Sequence, residues 1–151
     1  MKSLRGQMRN AERWLLHPIN GVRRWATRGF EVGVSSDQVP RGGQLDGFVT
    51  ISTAQQLESV EVGVVCTEFY AVTVSSSEGG SSQGTSSAVA HEAWIPAAST
   101  PGVHTVRLRI PEDAPYSHEG DVLSFRWEVA ARGRRQKGID PRAEHRIRVL
   151  P

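Results

Sequence analysis

The stretch "VLSFRWEVA", residues 122–130, decides how the rest of the chain is read. Leu123, Phe125, Trp127 and Val129 alternate with Ser124, Arg126, Glu128 and Ala130. Successive side chains of an extended backbone point to opposite faces, so this alternation describes a strand with one dry face and one wet face. Trp127, Phe125 and Leu123 are therefore expected to lie buried between two sheets. Immediately upstream, "APYSHEGD" at residues 114–121 raises the question of a catalytic corner. Pro115 stiffens the approach, Gly120 permits a turn and Asp121 leads into the strand, which places His118 and Glu119 at a loop tip. A catalytic pair needs a third group to orient it and a pocket that excludes water. The sequence shows neither.

The same period recurs outward from this segment. Val106, Leu108 and Ile110 alternate with Arg107 and Arg109. His145, Ile147 and Val149 alternate with Glu144, Arg146 and Arg148, while Val60, Val62, Val64 and Cys66 form a fourth run. Breakers separate the runs: "VPRGG" (39–43), "STPG" (99–102), "PEDAP" (111–115) and "GRRQKGIDP" (133–141). Seven strands are expected, at about 30–35, 43–53, 58–70, 86–95, 103–110, 122–131 and 142–150. Strands at such spacing, without helices between them, imply an all-β antiparallel sandwich of the immunoglobulin-like kind. Phe69 and Tyr70 cannot both follow Val64 inward, which predicts a bulge or an edge position after Cys66. "SSSEGGSSQGTSS" (75–87) has no apolar residue and reads as a mobile loop.

Charge divides the chain in two. Residues 1–29 hold seven basic residues against Glu12 alone, whereas residues 30–151 are net acidic. In the leader, Met8, Ala11, Leu15, Ile19, Val22 and Ala26 fall on one helical stripe, with Trp14 and Trp25 beside it. Arg9, Arg13, His17, Asn20, Arg24 and Arg28 make the opposite stripe, Arg23 adds to the leader's positive charge, and Pro18 and Gly21 should kink or split such a helix. Basic residues together with tryptophans suit an anionic membrane surface. The competing expectation is that the stripe caps an open end of the sandwich. The 151 residues suffice for one cored domain, and no apolar run reaches the length that spans a bilayer. A single cysteine, Cys66, rules out an internal disulfide framework and fits a reducing compartment, so the cytoplasm is expected.

Three segments occur in the order of a known family. "VPRGGQLDGFVTIS", the valine-rich "ESVEVGVVCTEFYAV" and "IPEDAPYSHEGDVLSFRWEVAAR" resemble the N-terminal domain of arrestin-like proteins and the bacterial sporulation-control proteins. The resemblance covers roughly residues 30–150. It rests on Gly42, Gly43 and Gly47 in the first segment, and on Pro111, Pro115, Ser117 and Gly120 in the last. Gly42 and Gly43 can take positive φ in a turn, and Gly47 allows close approach within a strand. The resemblance implies a β-sandwich that acts as an adaptor or scaffold for a protein partner, without catalysis and without a cofactor. The chain departs from the family in carrying one such domain rather than two, and no Pro-Pro-x-Tyr stretch is present.

The outward arginines Arg107, Arg109, Arg126, Arg146 and Arg148 would share a wet face if their strands lay in one sheet, and could then meet an anionic partner. Glu128 and Glu144 interleave with them, so cross-strand ion pairs account for them equally well. The acidic body does not favour nucleic acid as a partner. The alternative function is a small-ligand or metal-dependent enzyme built from the histidines. His17, His91, His104, His118 and His145 are scattered, however, without the close spacing of a metal site. His104 and His145 fall in phase with core residues, where a hydrogen-bonded core histidine is expected.

Overall fold

The computed structural model describes residues 28–151, and the expected basic helix, with its kink at Pro18, lies outside the described residues but for Arg28 and Gly29. The described residues form nine strands in two sheets. They are β1 (Phe30–Val34), β2 (Gln38–Pro40), β3 (Gln44–Ile51), β4 (Ser59–Ser75), β5 (Ser81–Ala97), β6 (Gly102–Arg109), β7 (His118–Glu119), β8 (Leu123–Arg134) and β9 (Arg142–Leu150). The smaller sheet has the order β1-β3-β6, and the larger β2-β9-β8-β4-β5, with β7 also paired to β8. The architecture is the expected all-β sandwich. One ladder departs from the antiparallel expectation: β2 runs parallel to β9.

The alternation that identified the strands also selects the core. Val62, Val64, Cys66, Trp127, Val129 and Ala131 from the larger sheet face Leu45, Val49, Val106 and Leu108 from the smaller one, all buried. Burying each large side chain stabilises the fold by roughly 1.5–3 kcal/mol relative to exposure. The two sheets approach closely at Gly47. A Cβ there would lie 3.1 Å from Leu108 on the neighbouring strand β6 and, across the interface, 3.2 Å from Val62 and 3.4 Å from Val129, so the facing sheets leave little room for a side chain. Gly42 takes φ 75° in the turn that Gly43 N–H closes onto the Pro40 carbonyl at 2.9 Å. A type II turn needs that conformation at its third position. Gly43 itself keeps an ordinary φ. Trp127 is fully buried, and its indole N–H donates to the Pro115 carbonyl at 2.8 Å, which ties the 111–117 connection to the core.

Two expectations are corrected. Residues 81–87 are strand rather than loop, because Ser81–Ser86 pair in register with Ser75–Tyr70 of β4, leaving residues 76–80 as the turn. Backbone hydrogen bonds to β4 hold this polar segment, and such bonds leave no mark on side-chain hydropathy. His118 and Glu119 do not stand at a loop tip. They form β7, opposite Phe125 and Ser124 of β8. The expected irregularity after Cys66 is present: Cys66 pairs with His91 and Thr67 with Val89, so Ala90 is the extra residue of a β-bulge in β5.

Candidate functional site

Strand β5 forms one margin of the larger sheet, with β4 on its inner side and no further strand beyond it among the described residues. It has 17 residues, long for an edge. Edge strands present unpaired backbone donors and acceptors, which proteins usually blunt with charge, proline or a bulge. Here all three lie towards one end: Ala90 is the bulge, and Glu92 and Pro96 follow it. The other half, Ser81–Val89, has none. Its side chains are serine, glutamine, glycine, threonine and alanine until Val89, which is 58% exposed. Behind them on β4, Tyr70, Val72 and Val74 occupy the core-side face in register with Ser86, Gly84 and Ser82. Val74 is largely exposed, so this apolar row runs out beyond the cover of the smaller sheet.

The opposite face of the larger sheet is polar but closely packed. Trp94 of β5 lies against Gly63, where a Cβ would come within 2.8 Å of the indole ring. The Arg132 guanidinium stacks on that ring at 3.9 Å and bonds Glu61 at 2.9 Å. Arg142 stands 5.8 Å from the same ring and pairs with Glu144 at 2.8 Å. Glu128 lies beside Glu144 on this face. Burial first, then the charge of Glu144 and a hydrogen bond between the two side chains, push the Glu128 carboxyl up to about 7. The Cys66 thiol, on the core side, is pushed up to about 12 by burial and then by Glu68, which makes it an inert packing group.

A cleft of about 650 Å³ opens where β9 leaves β8. The ladder between them ends at Trp127–Ile147. Beyond it, Arg148 N–H donates to the Asp37 carbonyl at 2.7 Å, and Ser117 takes the Val149 carbonyl and amide at 2.8 Å each. β9 thereby changes partner from β8 to β2, and the gap is walled by β7. Arg126, Arg146 and Arg148 line it with His118, His145, Asp37 and Glu119, over Phe125, Trp127 and Ile147. His145 Nε2 lies 2.8 Å from Asp37, and Arg146 is 3.2 Å from Glu119.

No protein-family model and no curated protein matches the chain. Among solved structures it is similar to the sporulation control protein Spo0M of Bacillus subtilis, at 17% identity and a TM-score of 0.55, over 82% of this chain and 50% of that one. The fold is an arrestin-like β-sandwich. The chain spans half the length of the structure it matches, and at this identity the likeness is one of fold.

Within this arrestin-like frame the residues singled out from the sequence separate. Arg9, Arg13, Trp14, Arg23, Arg24 and Trp25 lie outside the described residues; Arg28 is exposed, and its carbonyl accepts from Gln55 at 2.6 Å. Arg107 and Arg109 belong to β6 in the smaller sheet, and Arg126, Arg146 and Arg148 to the larger, so the five do not share a face. Arg107 is paired across the ladder with Asp46 at 2.8 Å. The described histidines form no single cluster: His118 and His145 both line the cleft, whereas His91 sits 5.8 Å from the Trp127 ring and His104 reaches the Thr100 carbonyl at 2.6 Å. His104 and His145 are half-buried rather than core residues, since each stands on a core-facing position near the rim of the sandwich. Among the described residues no group of three or more His, Cys, Asp or Glu side chains is arranged to hold a metal, and no helix is long and apolar enough to cross a membrane. Sequence reasoning missed the cleft and the long edge. The signal for the edge was "YAVTV" at 70–74, an alternation that needed a strand beside it.

Proposed function

We propose that this chain is a non-catalytic adaptor module that takes up an extended segment of a protein partner by strand addition at β5, along Ser81–Val89. The observation that carries the reading is the unblunted half of that edge strand. Strand addition draws its affinity from backbone hydrogen bonds and its selectivity from alternate side chains. Small side chains on β5 leave room for a partner's larger ones to reach Tyr70, Val72 and Val74 behind them. A partner segment with apolar residues at alternate positions fits this row.

The test is selection of a displayed random peptide library on the full chain, followed by binding of the selected peptides to two proline variants, Ser86→Pro and Ser87→Pro. Neighbouring residues of an edge strand aim their N–H groups to opposite sides, so one variant removes an outward donor and the other a ladder bond. Peptides of alternating apolar pattern, lost on the outward variant while its melting temperature stays near the parent's, are the expected result. Peptides that bind both variants as well as the parent refute the reading.

A further inference from the structure

The fork between β8 and β9 has no part in strand addition at β5. In the β8–β9 register, Trp127 stands opposite Ile147, and the next pair would set Arg126 directly against Arg148. Like charges directly opposite on a sheet destabilise the pairing. The ladder stops at this point, and β9 turns to β2. Arg146, two residues before Arg148, projects from the same face, so three guanidiniums border one opening. Arg126 is also held over the Phe69 ring at 5.2 Å. Burial first and the charge of Arg146 second hold its pKa below the usual arginine value, so a second cation acts on it at close range.

The compensating charge around the fork is incomplete. Glu119 takes Arg146, and Asp37 is engaged by His145. Among the described residues no carboxylate lies within ion-pair distance of Arg148. Glu128 and Glu144 both act on Arg126, so the shortfall is at Arg148. The floor is different in kind: Phe125, Trp127 and Ile147 are apolar, and the Trp127 indole N–H is already committed to Pro115. A volume of about 650 Å³ is that of a small-molecule or short-peptide site, far larger than an inorganic anion fills.

We propose that this fork binds an organic anion, a carboxylate carried on a short apolar stem, with its oxygens between Arg126, Arg146 and Arg148 and its stem on Phe125 and Ile147. Guanidinium groups hold carboxylates by charge-assisted, frequently paired hydrogen bonds, and the apolar floor rewards the stem with burial. Such a group can come from a free small molecule or from the C-terminus of a polypeptide, and the two sources are separable.

The probes are 3-phenylpropionate and a pentapeptide ending in a free C-terminal phenylalanine, each against its amide, titrated into the full chain while the Trp127 indole N–H signal is followed by NMR. Both carboxylates should move that signal saturably and both amides should fail. If the free acid binds more tightly, the source is a small molecule; if the peptide does, a polypeptide terminus. Arg148→Gln and Arg146→Gln should each weaken binding about tenfold, the loss of one charge-assisted hydrogen bond. Arg107→Gln, on the other sheet, should leave it unchanged, as should either proline variant of β5. Amides that bind as well as acids, no saturable shift with either acid, or arginine variants that bind like the parent would each overturn the proposal.

Discussion

Strand β4 passes through two environments, and the contrast between them organises the molecule. From Val60 to Cys66 every core-facing side chain is buried beneath the smaller sheet, and even the residues facing away, Gly63 and Val65, are covered. From Thr67 onward nothing is fully buried, and Thr73, Val74 and Ser75 are exposed. Backbone pairing with β5 is continuous through both halves save for the bulge at Ala90. The first half is thus held by packing, whereas beyond Tyr70, where the ladder to β8 ends, the strand is held chiefly by its hydrogen bonds to β5. A two-stranded ribbon without a covered face is marginal by itself. The difference locates stability in one half of the strand and availability to a partner in the other.

The largest effect should come from the covered half. Trp127→Ala empties the centre of the core and frees the Pro115 carbonyl, at a cost of about 3–5 kcal/mol, read from chemical denaturation. A variant as stable as the parent would mean that packing does not distinguish the two halves. Gly47→Ala tests the same half from the opposing sheet. With its new Cβ at 3.2 Å from Val62 and 3.4 Å from Val129 across the interface, the sheets must part slightly, and a loss of about 1–3 kcal/mol is expected.

The outer face of the covered half yields a pH dependence. The folded Glu128 carboxyl, at about 7, keeps its proton over a range in which the unfolded one, near 4.5, has lost it. The folded state then binds more protons, so stability falls as pH rises from about 4.5 to about 7. Glu128→Gln should flatten that decline and stabilise the protein above neutral pH by on the order of 1 kcal/mol, allowing for partial exposure. Melting temperatures of the two proteins across this range check it; parallel curves would assign the decline to other groups.

The smallest effect belongs to the arm. Val74→Ser should change stability by less than about 0.5 kcal/mol, since the side chain is already 57% exposed. The same change should weaken the apolar peptides selected on β5, because Val74 lies in the row they would cover. A large loss of stability with no loss of binding would reverse the contrast between the halves.

Much of this was legible in the residues. The alternation at 122–130 identified β8 and the inward Trp127 and Val129, but Leu123 and Phe125 are only half-buried, and Ser124 and Ala130, expected on the wet face, are buried. An irregularity after Cys66 was anticipated, but its extra residue, Ala90, lies on β5 and leaves the alternation of β4 unbroken. Gly47 read as a point of close approach, and it is one. The cleft and the long edge were not legible. The cleft arises because β9 exchanges β8 for β2, and β2 lies in a segment that reads as a breaker. The edge exists because polar residues 81–87 pair with β4, and serine-rich sequence carries no periodic signal.

The sequence by itself determined which side chains turn inward, because that depends only on alternation along each strand and on the free energy of burying apolar surface. The tertiary structure alone decided which strands are neighbours. It put Arg107 and Arg109 on one sheet and Arg126, Arg146 and Arg148 on the other, and it set Arg126 and Arg148 on either side of an opening. Pairing is made by backbone groups that every residue except proline shares, over separations of up to about a hundred residues along the chain. Such choices are settled by the packing of the whole and leave little trace in any one segment.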